Sequence, residues 1–189
     1  NYETGAHLNL FGNTVQLDVS AFLMQVRNQQ LSVMAGNYGF GRMMVNAGRS
    51  RSCGVELALR GNSLRGHLDW GASYGLTHAV FKEYADSISG QMMDYRNKKV
   101  PYVPMHTVAA YADYRFVIAP TGLRSITVGA NLNAQGKTYW DEANTYAQKF
   151  YAVVGAHADA DFGFVKLRLW GRNLTKTDYN TFAVQSKAT

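Results

Sequence analysis

No run of about 18 uncharged apolar residues occurs anywhere in the 189-residue chain, which excludes a membrane-spanning helix. If the chain meets lipid, it does so as strands. A single cysteine, Cys53, excludes an internal disulfide and a cysteine-built metal cage. Basic runs are also missing. The 19 Lys and Arg residues behind the net charge of +6 are spread singly, with nothing longer than "NKKV", whereas nucleic-acid binding uses concentrated basic tracks with interleaved aromatics. No nucleic-acid partner is expected. The first residues, "NYETGAHLNLF", show neither a basic nor an apolar signal region, so no signal peptide is read there. The Ser and His positions are scattered and form no nucleophile, base and orienting group, so neither an enzyme nor a cofactor is expected.

What the chain does have is aromatics and glycine: 12 Tyr, 9 Phe and 3 Trp beside 18 Gly and only 3 Pro, a composition that leans towards an all-β fold. Its length fits one domain. Period-2 alternation supports the β reading directly. In residues 12–26, "GNTVQLDVSAFLMQV", Val15, Leu17, Val19, Ala21 and Leu23 share one face, and Gln16, Asp18 and Ser20 share the other.

The same reading predicts strands over 3–11, 14–26, 52–60, 67–81, 106–118, 125–135, 150–162 and 164–173. Their connections alternate strictly between short and long. Gly12-Asn13, "GNSLRG", "APTG" and Gly163 mark short turns, and three long excursions, "RNQQLSVMAGNYGFGRMMVN", "KEYADSISGQMMDYRNKKVPYVP" and "GKTYWDEANTYAQ", separate them. All tight turns then lie at one end of the strands and all large loops at the other, the plan of an outer-membrane barrel with short periplasmic turns and long extracellular loops. The strands are long enough for a tilted crossing of the hydrocarbon layer. Their polar face, with Asp, Asn, Gln, His, Arg and Gly, suits a wetted lumen better than a dry core. Aromatics near strand ends, among them Phe11, Phe81, Tyr84, Phe116, Phe164 and Trp170, are placed to form girdles at the two lipid boundaries. Val15 to Leu23 are expected to face lipid.

Three segments carry a family resemblance. "NAGRSRSCGVELAL" (46–59), "VPYVPMHTVAAYADYRF" (100–116) and "LRLWGRNLTKTDY" (167–179) resemble, in that order, successive strand motifs of the C-terminal barrel of TonB-dependent outer-membrane receptors. The resemblance implies an antiparallel transmembrane barrel of about 22 strands, of which residues 1–189 supply about eight, with the plug domain and the final strand outside the chain. It implies a bacterial outer-membrane receptor that imports an iron–siderophore, haem, cobalamin or a glycan, with energy coupled through the TonB complex. Iron complexes are the first expectation.

Ligand candidates lie in the external loops. Tyr38, Phe40 and Arg42, beside Met43 and Met44, mix aromatic, cationic and flexible residues. Arg42 and Tyr38 suit an anionic iron–siderophore; Tyr38 or Trp140 suits stacking on a glycan, with hydrogen bonds from Asp141 and Asn144. Gly54, Glu56, Pro101, Pro104, Asn173 and Leu174 read as structural residues that begin strands, shape turns and end strands. His157, Asp159 and Asp161 share a strand face, but the lumen wall explains them more simply than a metal does. Two other readings remain open: a self-contained eight-stranded barrel with a structural or adhesive role, whose first and last strands would pair, and a soluble lipocalin-like binder whose apolar stripes would line a cavity.

Overall fold

The computed structural model describes residues 1–34, 42–46, 48–88, 91–181 and 183. Fourteen strands occur among them: β1 (Tyr2–Leu10), β2 (Val15–Arg27), β3 (Gln30–Met34), β4 (Arg42–Asn46), β5 (Arg49–Ser63), β6 (Leu68–Glu83), β7 (Ala85–Ile88), β8 (Gln91–Asp94), β9 (His106–Val117), β10 (Ser125–Gln135), β11 (Thr138–Tyr139), β12 (Ala147–Gln148), β13 (Tyr151–Asp161) and β14 (Lys166–Gly171). Eight of them form one antiparallel sheet in the order β1-β2-β5-β6-β9-β10-β13-β14, so every neighbour in space is the next long strand in sequence. These are the eight strands that the alternation predicts.

The three long connections carry their own two-stranded ribbons, β3-β4, β7-β8 and β11-β12. The sequence reading passes over them because ribbons this short give too few alternations to register. It also starts the second turn too early. β5 runs on to Ser63, and the turn is confined to Leu64–Gly66, with Leu64, Arg65 and Gly66 all at positive φ. The extension has a side-chain cause: the Trp70 ring covers Gly61, and Trp70 Nε1 donates to Ser63 Oγ at 3.1 Å, which ties the last residues of β5 to β6.

Register sets the two faces, because directly opposed residues point the same way. Leu8, Leu17, Leu59, Ala72, Ala110, Leu132 and Val154 follow one another across the sheet on one face. Val19, Leu57, Tyr74, Val108, Ala134 and Ala152 form the next row. The other face carries Gln16, Asp18, Glu56, Arg60, Ser73, Asn131, Asn133, His157 and Asp159. Two hollows of the sheet, of about 290 and 610 Å³, open among residues of this polar face such as His7, Asp18, Ser73, Thr107, Asn133 and Gln135.

The polar face is thus the hollow one and the apolar face lies outside. Leu57, Val128, Leu167 and Leu169 remain 38–78% exposed on it, so no layer of the described residues covers it. A lipocalin-like cavity would require the reverse arrangement. The sheet is also open: among the described residues β1 pairs only with β2 and β14 only with β13, where a closed eight-stranded barrel would join the two.

The one buried hydrophobic cluster among the described residues lies at the long-connection end, where Ala79, Phe81, Tyr84, Tyr95 and Val100 pack together with Val103 and Ala143 against them. Phe81 and Tyr84 meet edge-on at 5.0 Å, and Tyr84 and Tyr95 at 5.0 Å. This corrects the girdle expectation for Phe81 and Tyr84, which lie inside the loop base. Trp170 departs too, standing opposite His157 on the polar face. Phe116 stays on the apolar face next to Tyr114, and Phe164 projects from the last short turn, 91% exposed.

Candidate functional site

At the short-turn end, the polar face carries a ladder of paired charges. Asp159 on β13 receives both Nε and an Nη of Arg168 on β14, at 2.5 and 2.6 Å, the two-pronged geometry that guanidinium and carboxylate share. His157 Nε2 stands 3.6 Å from Asp113 Oδ1 and 3.8 Å from Asp159 Oδ2. Gly129, between them on β10, leaves room for both: a Cβ there would collide with the Asp113 carboxylate and the His157 ring. Lys166 pairs with Asp161 at 3.5 Å, and Asp18 holds Arg60 at 3.2 Å and His7. His157, Asp159 and Asp161 therefore share a face as expected, but their partners are Asp113, Arg168 and Lys166 from neighbouring strands. No three His, Cys, Asp or Glu side chains among the described residues converge as metal ligands.

At the long-connection end, two loops are tied together. Asn144, at φ 61°, accepts the Lys99 N–H on Oδ1 at 2.7 Å and donates Nδ2 to the Lys99 carbonyl at 3.0 Å, closing a two-bond clamp between segments 45 residues apart. The Asp141 carboxylate accepts the N–H and Oγ1 of Thr145 and the N–H of Tyr146 at 2.6 to 3.1 Å, which folds the turn that presents Asn144. Trp140 packs on Tyr102 at 5.5 Å, and the Tyr102 N–H bonds to the Tyr139 carbonyl. Partial burial holds the Lys99 ammonium below the usual lysine range.

The structure thus brings Trp140, Asp141 and Asn144 together on one turn. Arg42 begins β4, opposite Met34; Tyr38 and Phe40 lie outside the described residues. Among the motif residues, Gly54 lets the Phe22 ring and the Leu76 carbonyl approach where a Cβ would strike both. Glu56 lines the larger hollow, while Pro101 and Pro104 bracket Tyr102 in the turn leading to β9. Asn173, at φ 51°, grips Thr177 through both side-chain atoms, and the Leu174 N–H bonds to the Val154 carbonyl, so the chain continues beside β13 after β14 ends.

Several participants give no sign in the sequence. Tyr151 donates to Gln135 Oε1 at 2.5 Å and stacks on Tyr179 at 4.5 Å, and both Gln135 and Tyr151 line the smaller hollow. Each becomes recognisable only once the register between strands is known.

Comparison with known proteins agrees with this geometry. Residues 1–174 match the family described as TonB dependent receptor-like, beta-barrel. The probable TonB-dependent siderophore receptor PiuA of Acinetobacter baumannii is 27% identical over 192 residues, an alignment that covers 98% of this chain and 24% of that protein. The crystal structure of the siderophore receptor PiuA from that organism superposes with a TM-score of 0.75 at 25% identity, over 97% of this chain and 25% of the other. The ferric yersiniabactin uptake receptor FyuA from Yersinia pestis shares the fold at a TM-score of 0.77 and 18% identity, over 100% of this chain and 26% of that one. The chain thus spans about a quarter of the length of these relatives. Its sheet is an arc of a larger outer-membrane barrel, with the apolar face towards lipid and the polar face towards the lumen, and the chain belongs to the TonB-dependent receptor β-barrel family.

Proposed function

We propose that residues 1–189 are the C-terminal portion of the barrel of a receptor that imports an iron–siderophore complex across the outer membrane, with energy supplied through TonB. The observation that carries this reading is the alignment of 98% of the chain with a probable TonB-dependent siderophore receptor. The architecture is compatible with it: a wall whose hollow face is polar and charged, under large external loops. In this reading the wall shapes the passage and the loops meet the ligand; the work of binding is non-covalent, which fits a family of transport receptors.

Trp140 is the proposed contact in the third long connection, because an aromatic face stacks on flat or sugar-like ligand surfaces. Asp141 acts through the turn it builds, its oxygens being engaged within it, and Asn144 acts through the clamp in which its oxygen holds Lys99. Tyr38, Phe40 and Arg42 are proposed as the corresponding contacts of the first long connection.

The test is uptake of radio-iron, presented as a panel of hydroxamate, catecholate and carboxylate siderophores, by cells producing the full-length receptor, with and without TonB. Uptake of one class that needs both receptor and TonB is expected. Uptake of haem, cobalamin or a glycan in place of every iron complex would overturn the ligand assignment; iron uptake indifferent to TonB would overturn the coupling.

A further inference from the structure

The outer, lipid-facing surface changes character abruptly at the long-connection end. Row by row up this face run Val19, Leu57 and Tyr74, then Ala21, Val55 and Leu76, then Leu23, Cys53 and His78, then Gln25, Arg51 and Val80. Val80 forms an isolated bridge with Lys99, and Lys99 Nζ donates to His78 Nδ1 at 2.9 Å. Lys82 follows two residues after Val80, at the irregularity where the β5–β6 register steps from Ser50–Phe81 to Arg49–Glu83. The positive charges of Lys99, Lys82 and Arg51 all bear on the His78 ring. His78, Arg51 and Lys82 are exposed, and none of the three cations takes part in an ion pair among the described residues. The carboxylate next along the chain, Glu83, is engaged by Arg49.

Among the described residues the opposite rim carries its cations singly: Arg65 stands in the turn 64–66, and Arg124 lies against Gly163 beside Asp161. There the same face shows Leu10, Val15, Leu68, Tyr114 and Ile126, while Arg168 and Lys166 sit on the polar face, bound to Asp159 and Asp161. Among the described residues, the clustered cations without a carboxylate partner therefore stand at the long-connection rim, above the apolar band.

We propose that Arg51, Lys82 and Lys99, gathered around His78, bind the phosphate of a lipid headgroup in the external leaflet. The two-row step from Leu76 to Val80 places Arg51 about 13 Å above exposed Val55 and about 20 Å above exposed Leu57. A headgroup held by the cations therefore lays its acyl chains along those residues. A free phosphate would use only the charges; the continuity of charge with exposed apolar wall is what selects a lipid. Because Nδ1 accepts from Lys99, a neutral His78 carries its proton on Nε2, a further donor for a phosphate oxygen. Arg51 offers a guanidinium fork and the two lysines compact point charges, a usual set for phosphate.

The experiment uses the full-length receptor in detergent, with bisphosphorylated lipid A, its dephosphorylated form and inorganic phosphate as separate probes, read by native mass spectrometry. The intact protein is expected to retain the bisphosphorylated lipid through dilution and to release the dephosphorylated one. Retention should fall about fivefold for each of Arg51→Gln, Lys82→Gln and Lys99→Gln, and about a hundredfold for all three together. Arg60→Gln, on the polar face, should change nothing. Lys82→Gln alone, with its side chain exposed, keeps the test decisive if the triple variant does not fold. Equal retention by the intact protein and Lys82→Gln, equal retention of the two lipid forms, or protection by inorganic phosphate at the lipid's own concentration would each overturn the proposal.

Discussion

At the scale of single residues, position decides more than residue type. Asn144 was legible as a polar loop residue, but its role as a clamp was not, because its partner is Lys99, far away in sequence. Asn144→Ala removes both cross-loop bonds and leaves the Lys99 backbone groups to find other partners, a local loss of about 1–3 kcal/mol. Amide hydrogen exchange at Lys99 and Tyr102 is expected to accelerate in this variant of the full receptor, and unchanged exchange there would refute the clamp. Gly54 belongs to a recognisable motif, and the structure supplies the reason: the Leu76 carbonyl and the Phe22 ring occupy the space of its missing side chain. Gly54→Val should cost about 1–3 kcal/mol through overpacking, measurable by denaturant unfolding in lipid, and Phe22→Ala should restore only part of it because the carbonyl remains. Gly129 is the softer case, since flexible Asp113 and His157 side chains are what fill its space.

At the scale of the strand, the period of two made nearly everything readable. All eight wall strands and the alternation of short and long connections follow from it, because lipid on one side and water on the other impose the same pattern on every strand. The pattern cannot specify register, so the pairing of Asp159 with Arg168 and the approach of His157 to Asp113 were invisible although His157, Asp159 and Asp161 stood out. Nor can it separate a girdle aromatic from one folded into a loop base, which is why it places Phe81 and Tyr84 in a girdle at the lipid boundary. The two faces give a direct comparison at one level of the wall, where Leu57 lies opposite Tyr74 and its neighbour Ala58 opposite Ser73. Leu57→Arg puts a charge into hydrocarbon and should cost about 2–4 kcal/mol near the midplane, whereas Ser73→Arg turns its charge into the lumen and should be close to neutral. Unfolding of both variants in lipid checks this; equal losses would contradict the distinction between the faces, and a loss confined to Ser73→Arg would mean that they are exchanged.

At the scale of the molecule, the sheet ends in two unpaired edges, β1 and β14, and exposes an apolar face to whatever surrounds it. Residues 1–189 expressed alone should aggregate or require detergent, as long edges and a broad apolar face do in water; a monodisperse species in plain buffer would contradict this. In the full receptor carrying Cys53→Ser, cysteines at positions 7 and 18 on the paired strands β1 and β2 should cross-link, and cysteines at 7 and 168 on β1 and β14 should not. Cross-linking of the second pair would mean a small closed cylinder. Closure itself was beyond the sequence, since eight alternating strands describe a whole small barrel as well as an arc of a large one. The Asn144 clamp, finally, has a mechanical meaning. Because it joins the connection between β6 and β9 to the one between β10 and β13, the two loops are one body fastened at Lys99. Trp140, stacked on Tyr102, and the Phe81–Tyr84–Tyr95 cluster, against which Ala143 packs, therefore belong to one tied body at the head of the wall.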